Sequence, residues 1–154
     1  MADFGITIFF RKTGTAAWLA YRDYVRHIIY GLIRSGLPVA YSEGFRHRVA
    51  VQAPQALPLA VASLGEPFHI TLLEAVDVNL QTVVSFFAPD EAPVALSHTR
   101  WKGYLSVFDT PVGIVKVDLE RQSLRQVLEN LGVKPWETIK VAMESKEGTT
   151  LVLK

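Results

Sequence analysis

The sequence contains no cysteine. This absence excludes disulfide bonds, thiolate zinc sites, cysteine nucleophiles and any iron–sulfur cluster held by cysteines of this chain. Long apolar runs are also missing, since no stretch approaches the roughly 18 to 20 residues that a membrane span requires. The N-terminus lacks the charged, apolar and cleavage zones of a signal peptide. We therefore expect a cytoplasmic protein without a membrane partner.

The histidines do not form a metal-binding pattern. They stand far apart in the sequence, at His27, His47, His69 and His98. None is spaced from another histidine or from a carboxylate as metal ligands are, and no serine lies in a recognisable nucleophile motif. We expect no metal site, no cofactor and no catalytic residue, and so a protein that is not an enzyme.

Basic residues are absent from the middle of the chain. Residues 49–98 carry five acidic groups and no lysine or arginine, whereas residues 1–48 carry seven basic and three acidic groups. Residues 99–154 carry nine basic and seven acidic groups, so the net charge of +1 hides a positive first third. Such a bipolar field could orient a polyanion, although many globular proteins have one without any ligand.

The chain has 154 residues, of which 49% are hydrophobic and 20% charged, enough for one domain or two small subdomains that share a core. Hydrophobic periodicity predicts the order strand, helix, strand, strand, helix, strand in residues 1–100. This is the order of an α+β, ferredoxin-like split βαβ sandwich. The predicted elements are a strand around Ile6–Phe10, a helix over about 16–35, strands over 39–42 and 68–76, a helix capped by Asp77, and a strand over 93–99.

The sequence of residues 101–154 predicts a smaller β-β-α-β-β subdomain. Two strands flank the turn at 109–111, and a helix begins at Ser123 with Gln126 three residues on. A final hairpin turns at Glu147-Gly148. Because no linker rich in glycine, serine or proline precedes this part, we expect it to pack on the first domain.

Positive charge gathers on one face of the first predicted helix. Arg22, Arg26, Tyr30 and Arg34 are spaced by four, so they lie along one drifting stripe that could follow a phosphate backbone. The alternative is a solvated face whose arginines pair with Asp23 or other acids.

A basic loop follows this helix in the sequence. Gly44 permits a turn closed to other residues, and the next positions are Phe45, Arg46, His47 and Arg48. An aromatic ring beside guanidinium groups suits stacked bases and phosphates, although Phe45 could instead anchor the loop in the core. Lys12, in the turn after the first strand, is a further candidate contact or simply part of a strand-to-helix turn.

Two other functions compete with nucleic-acid binding. The segment Ala53–Leu64 has no charge over twelve residues and could be an exposed docking strip for a protein, or part of the core. His47 with Ser42 or Tyr41 could also serve a metal-free nuclease or transferase.

Residues 9–73 resemble the DUF2344 family of radical-SAM-linked bacterial proteins. The matching features are Lys12-Thr13-Gly14, Asp23 with Arg26, Gly36-Leu37-Pro38, Tyr41-Ser42-x-Gly44-Phe45, Leu57-Pro58-Leu59 and Ser63-x-Gly65-Glu66. Family members are encoded beside, or fused to, a radical S-adenosylmethionine enzyme, and the family has no established activity. Two elements depart from the family pattern: Ala20-Tyr21-Arg22-Asp23 stands for Ser-His-x-Asp, and Arg46-His47-Arg48-Val49 stands for Asn-Pro-His-Pro.

The resemblance implies a companion of a radical-SAM enzyme, because a chain without cysteine cannot hold that enzyme's cluster. The departures alter both histidine-bearing elements and add cations. We therefore predict a non-catalytic accessory protein that binds RNA, either tRNA or rRNA, or presents a substrate. The alternative is a protein-interaction module that docks on an enzyme or larger assembly without nucleic acid.

Overall fold

A computed structural model describes residues 4–41, 49–98, 101, 103–145 and 148–153. Three α-helices separate groups of strands along these residues. The elements are β1 (Phe4–Lys12), α1 (Tyr21–Arg34), β2 (Val51–Gln52), β3 (Ala62–Leu72), α2 (Leu80–Val83), β4 (Pro93–Ser97), β5 (Leu105–Thr110), β6 (Gly113–Val117), α3 (Leu124–Leu131), β7 (Ile139–Glu144) and β8 (Thr150–Val152). The predicted α+β class is confirmed.

Eight strands of the described residues form one sheet, in which the path β4-β1-β3-β7-β5-β6 is flanked by β2 on β3 and β8 on β7. Strand β3 joins the two parts of the chain, because Ala62 and Ser63 pair in parallel with Ile139 and Lys140 of β7. The other strand pairs are antiparallel. None of the described helices is long and apolar enough to cross a membrane.

Helix α1 packs on the sheet through one apolar face. Tyr24, Ile28 and Leu32 of this face are buried against alternate residues of β1 and β3, among them Ile8 and Phe68. The period of two in the strands and of about 3.6 in the helix produces this contact, as the sequence indicates. A second cluster of buried side chains packs α3 on the sheet; it contains Leu57, Val61, Phe108, Val117, Leu124, Leu128 and Val133.

The first helix is shorter than predicted. A 3₁₀ helix covers Gly14–Trp18, and the α-helix begins only at Tyr21. The carbonyl of Ala17 accepts hydrogen bonds from the Lys12 ammonium at 3.2 Å and from the amide of Ala60 at 2.8 Å. Because these donors satisfy a carbonyl that a continuous helix would use, the chain enters α1 from an extended Ala20.

The second predicted strand is reduced to isolated bridges, and the second helix begins later than predicted. Val39 and Tyr41 form only isolated bridges, and β2 lies further along the chain with two residues. Helix α2 is capped by Asn79 and not by Asp77, since the Asn79 side chain accepts from the amide of Gln81 at 3.0 Å. Strand β3 begins earlier than predicted and ends at Leu72.

The C-terminal elements follow their local signals. Strands β5 and β6 form the predicted hairpin, but its turn is at Pro111 and Val112, because Asp109 and Thr110 still belong to β5. Ser123 caps α3 by accepting from the amide of Gln126 at 3.3 Å, and Gly132 ends that helix in the left-handed region with φ of 72°. Strands β7 and β8 pair as the final hairpin; Glu147 of its predicted turn lies outside the described residues.

Candidate nucleic-acid interface

The outer face of α1 carries the predicted basic stripe. Arg22, Arg26, Tyr30 and Arg34 are all exposed, opposite the buried side chains of the same helix. Within the described residues, neither Arg22 nor Arg26 forms an ion pair, with Asp23 or with another carboxylate. The guanidinium of Arg34 donates to the carbonyl of Phe86 at 3.5 Å. Two cations of this face are therefore available to an external anion.

Lys12 does not belong to this surface. It is 3% exposed, its Nζ donates to Ala17, and it lies 5.6 Å from the centre of the Tyr24 ring. Burial lowers the pKa of Lys12, and the neighbouring Glu66 carboxylate offsets part of this effect. The prediction of Lys12 as a nucleic-acid contact is corrected, because an ammonium inside the core cannot reach a phosphate outside it.

The turn after β1 already contains an internal anion. The carboxylate of Asp90 accepts from the backbone amide of Thr15 and from the hydroxyls of Thr13 and Thr15, at 3.3 Å each. A Cβ at Gly14 would lie 2.5 Å from an Asp90 oxygen, so glycine permits this close approach. The turn is therefore a strand-to-helix connection closed by a carboxylate.

The basic loop lies outside the described residues. This applies to four of the predicted contacts, Phe45, Arg46, His47 and Arg48, and to Ser42 of the nuclease hypothesis. Tyr41 precedes the gap and is 52% exposed. The loop assignments remain predictions.

A pocket of about 530 Å³ lies beside the basic stripe and shares Tyr30 and Arg34 with it. Helix α1 forms one wall, and residues 86–88 with Glu91 form the other. Apolar side chains in the pocket are open to solvent, since Tyr30 is 54%, Ile33 44% and Phe86 37% exposed. We name this site the α1 pocket.

One histidine–carboxylate contact is built into the α1 pocket. His27 Nδ1 lies 2.8 Å from Glu91 Oε1, and the Glu91 side chain is 9% exposed against 49% for His27. A carboxylate partner at Nδ1 fixes the orientation of the ring and leaves Nε2 for another contact. The pocket therefore offers a fixed polar edge as well as aromatic surface.

A buried charge cluster joins the two parts of the chain behind the helix. Lys140 Nζ lies 2.9 Å from Glu66 Oε2, and the Ser63 hydroxyl donates to the same oxygen at 2.9 Å. Lys140, Ser63 and Glu66 are 0%, 0% and 2% exposed, and Lys140 also lies 5.1 Å from the centre of the Tyr104 ring. Because these side chains are buried from solvent, we assign the cluster a role in stabilising the fold. The sequence did not indicate this cluster, although Ser63 and Glu66 belong to the family motif Ser63-x-Gly65-Glu66.

A second pocket, of about 570 Å³, is lined by residues of β2 and β3, among them Gln52 and His69, which pair with each other. Tyr21, Trp101 and Tyr104 line it, together with the carboxylate of Glu120. Burial raises the pKa of Tyr104 far above its ordinary value, and the Glu66 carboxylate adds to the rise. Glu120 is the acidic residue among those that line this pocket, whereas the outer face of α1 presents arginines.

An exposed tryptophan pair is a further surface feature that the sequence did not indicate. Trp18 and Trp136 are 57% and 59% exposed, and their rings stack with centroids 6.4 Å apart. Lys134 Nζ lies 6.0 Å from the centre of the Trp136 ring. Because the two tryptophans come from distant parts of the chain, only the tertiary fold brings them together.

The uncharged segment Ala53–Leu64 is partly buried in the core. Leu57, Ala60 and Val61 are at most 7% exposed, whereas Leu59 is 52% exposed. The segment as a whole is therefore not an open docking strip, and Leu59 is its large exposed apolar side chain.

Comparison with protein families identifies one relationship. DUF2344, an uncharacterized protein family conserved in bacteria, matches residues 6–87, which is just over half of the chain. The chain belongs to this family. The match extends from β1 through α2 and includes all of α1, so the candidate interface lies within it. No curated protein and no solved structure matches the chain.

Proposed function

We propose that this DUF2344 member is a non-catalytic accessory protein that binds RNA through the outer face of α1. The observation that supports the proposal is the pair of exposed arginines, Arg22 and Arg26, without carboxylate partners in the described residues. Asp23 is adjacent in sequence to Arg22, yet it makes no ion pair with either arginine. Unpaired guanidinium groups on a helix suit phosphate contacts.

The test is fluorescence anisotropy with labelled tRNA and with short single-stranded RNA at low salt. The double variant Arg22→Gln/Arg26→Gln should weaken binding about tenfold or more, because two phosphate contacts are lost. Arg125→Gln is the matched control, since Arg125 is an exposed arginine on α3, and it should bind as the wild type does. Equal affinity of the double variant and the control would contradict the proposal.

A link to a radical-SAM enzyme is part of the same proposal. It is supported by the family resemblance and by the absence of cysteine, since an iron–sulfur cluster held by cysteines would have to be bound by a partner. Purification from the native host under mild conditions should then recover both RNA and that enzyme. Recovery of the chain with neither would contradict this part.

A protein-interaction module is the second candidate function. It is supported by the stacked and exposed rings of Trp18 and Trp136. Leu59 is also exposed, and the amide of the next residue, Ala60, donates to the carbonyl of Ala17, next to Trp18. Tryptophan is enriched at the centres of protein interfaces. A stoichiometric protein partner that is lost in Trp18→Ser/Trp136→Ser, with no RNA in the complex, would favour this function over RNA binding.

We also propose that residues 1–100 form a reduced ferredoxin-like unit and residues 101–154 an extension packed on it. Support comes from the antiparallel pairing of β1 with β3 and β4, and of β2 with β3. Strand β2 and helix α2 would be shortened members of that pattern. An experimental structure that separates β1 from β3 would overturn this assignment.

A further inference from the structure

We propose that the α1 pocket binds one unstacked base of a single-stranded RNA while the flanking phosphates lie on Arg22 and Arg26. This inference rests on the proposed function and deepens it, because it specifies single strands as the ligand. The pocket and the stripe share Tyr30 and Arg34, so a strand on the stripe passes the mouth of the pocket.

The surface of the pocket suits a planar aromatic ring. Tyr30 and Phe86 present rings from two different elements, and Ile33 adds a third exposed apolar side chain. Exposed apolar side chains gathered in one concave site mark an interaction surface. Aromatic side chains beside a cationic track are the usual arrangement for stacking the bases of single strands.

The α1 pocket contains a carboxylate, Glu91, as well as the Arg34 guanidinium that it shares with the stripe. The Glu91 carboxylate, with only 9% of its side chain exposed, lies at the wall and would repel a phosphate placed beside it. The same carboxylate accepts hydrogen bonds, and His27 Nε2 adds a second polar contact, so both suit the edge of a base. The base therefore belongs inside the pocket and the phosphates on the outer arginines.

The spacing along the helix fits this division. Four residues advance an α-helix by about 6 Å, which is of the order of the distance between successive phosphates in an extended strand. Arg22 and Arg26 can therefore contact neighbouring phosphates, with Tyr30 one further step along. A base inside a duplex is paired and stacked, and it could enter the pocket only after being flipped out.

The experiment compares three ligands by anisotropy at one low salt concentration. They are an oligoadenylate of about eight nucleotides, a strand of equal length whose riboses carry no bases, and a blunt RNA duplex. The oligoadenylate should bind roughly tenfold more tightly than the baseless strand, the effect expected from stacking one base. The duplex should show no such advantage over the baseless strand.

Two variants locate the effect. Ala88→Trp should fill the pocket, because Ala88 is exposed on its wall and its extended backbone accepts a large side chain. Tyr30→Ala should remove one aromatic wall without disturbing the core. Both should lower the affinity for oligoadenylate to that for the baseless strand and leave the baseless strand unaffected. Ala56→Trp, at an exposed alanine that does not line the pocket, should change neither affinity.

The outcomes separate this inference from the proposed function. Equal binding of oligoadenylate and baseless strand by the wild type, with Arg22→Gln/Arg26→Gln still weak, would overturn the base pocket and leave the arginine surface standing. No binding of any ligand at low salt would overturn both. Unchanged oligoadenylate binding by Ala88→Trp, together with loss of a co-purifying protein, would reassign the pocket to a protein partner.

Discussion

Removing the Lys140 ammonium should destabilise the fold far more than removing an equally close partner at the surface. In Lys140→Met the Glu66 carboxylate keeps the Ser63 hydroxyl but loses its cation at 2.9 Å, in a site where Glu66 is 2% exposed. Breaking one side of a buried ion pair costs about 3–5 kcal/mol, because the remaining charge stays desolvated. This is a large part of the roughly 5–15 kcal/mol that stabilises a typical domain.

Lys116→Met is the matched control for this prediction. Lys116 Nζ lies 2.8 Å from Glu144 Oε2, but the two side chains are 52% and 27% exposed. Such a pair contributes at most about 1 kcal/mol. Because the distances of the two pairs agree, the comparison isolates burial as the cause.

The assay is urea unfolding followed by tryptophan fluorescence and far-ultraviolet circular dichroism. The double variant Glu66→Gln/Lys140→Met should recover much of the loss, because it removes both charges of the pair and the introduced amide can still bond to Ser63. A Lys140→Met variant that loses no more free energy of unfolding than Lys116→Met would refute the reasoning. So would a double variant less stable than Lys140→Met alone.

Two further predictions concern packing and alkaline stability. Gly31→Ala should lower the melting temperature, because the introduced Cβ would collide with the Phe87 ring, which also packs on Phe10. Overpacking of this kind costs about 1–3 kcal/mol. The higher helix propensity of alanine returns only about 1 kcal/mol. A higher melting temperature would contradict this. Since burial raises the pKa of Tyr104 above its ordinary 10.0, the unfolded chain releases this proton first, and stability should fall as the pH rises above 10.0. In urea titrations, Tyr104→Phe should reduce the fall in the free energy of unfolding by about 1.4 kcal/mol per pH unit. If the free energy of unfolding of this variant depends on pH as that of the wild type does, the Tyr104 hydroxyl does not contribute.

Features that depend on local sequence were predictable. The strand β1 and the cap of α3 at Ser123 depend on neighbouring residues, and both were predicted. The burial of both faces of β1 was not predicted, since Phe9 is 0% exposed and packs in another cluster than Ile8. The exposed arginine stripe was predictable for the same reason, since a spacing of four sets one helix face. The early end of the 3₁₀ helix was not predictable, because the competing donor Ala60 is distant in sequence.

Features that depend on strand pairing could not be predicted from one sequence. Lys12 looked like a surface cation, yet its position in β1 opposite Ser63 directs it into the core. The His27–Glu91 contact and the stack of Trp18 on Trp136 likewise join elements far apart in the chain. The motif Ser63-x-Gly65-Glu66, noticed as a family feature, gained a physical meaning only when β7 brought Lys140 beside it.

The salt dependence of RNA binding tests the central claim most directly, because its slope counts the phosphates that the protein neutralises. For single strands the slope of log affinity against log salt is about −0.7 for each phosphate contacted. The account predicts that Arg22→Gln/Arg26→Gln makes this slope shallower by about 1.4, whereas Arg125→Gln leaves it unchanged. A double variant whose slope equals that of the wild type would contradict RNA binding on the outer face of α1.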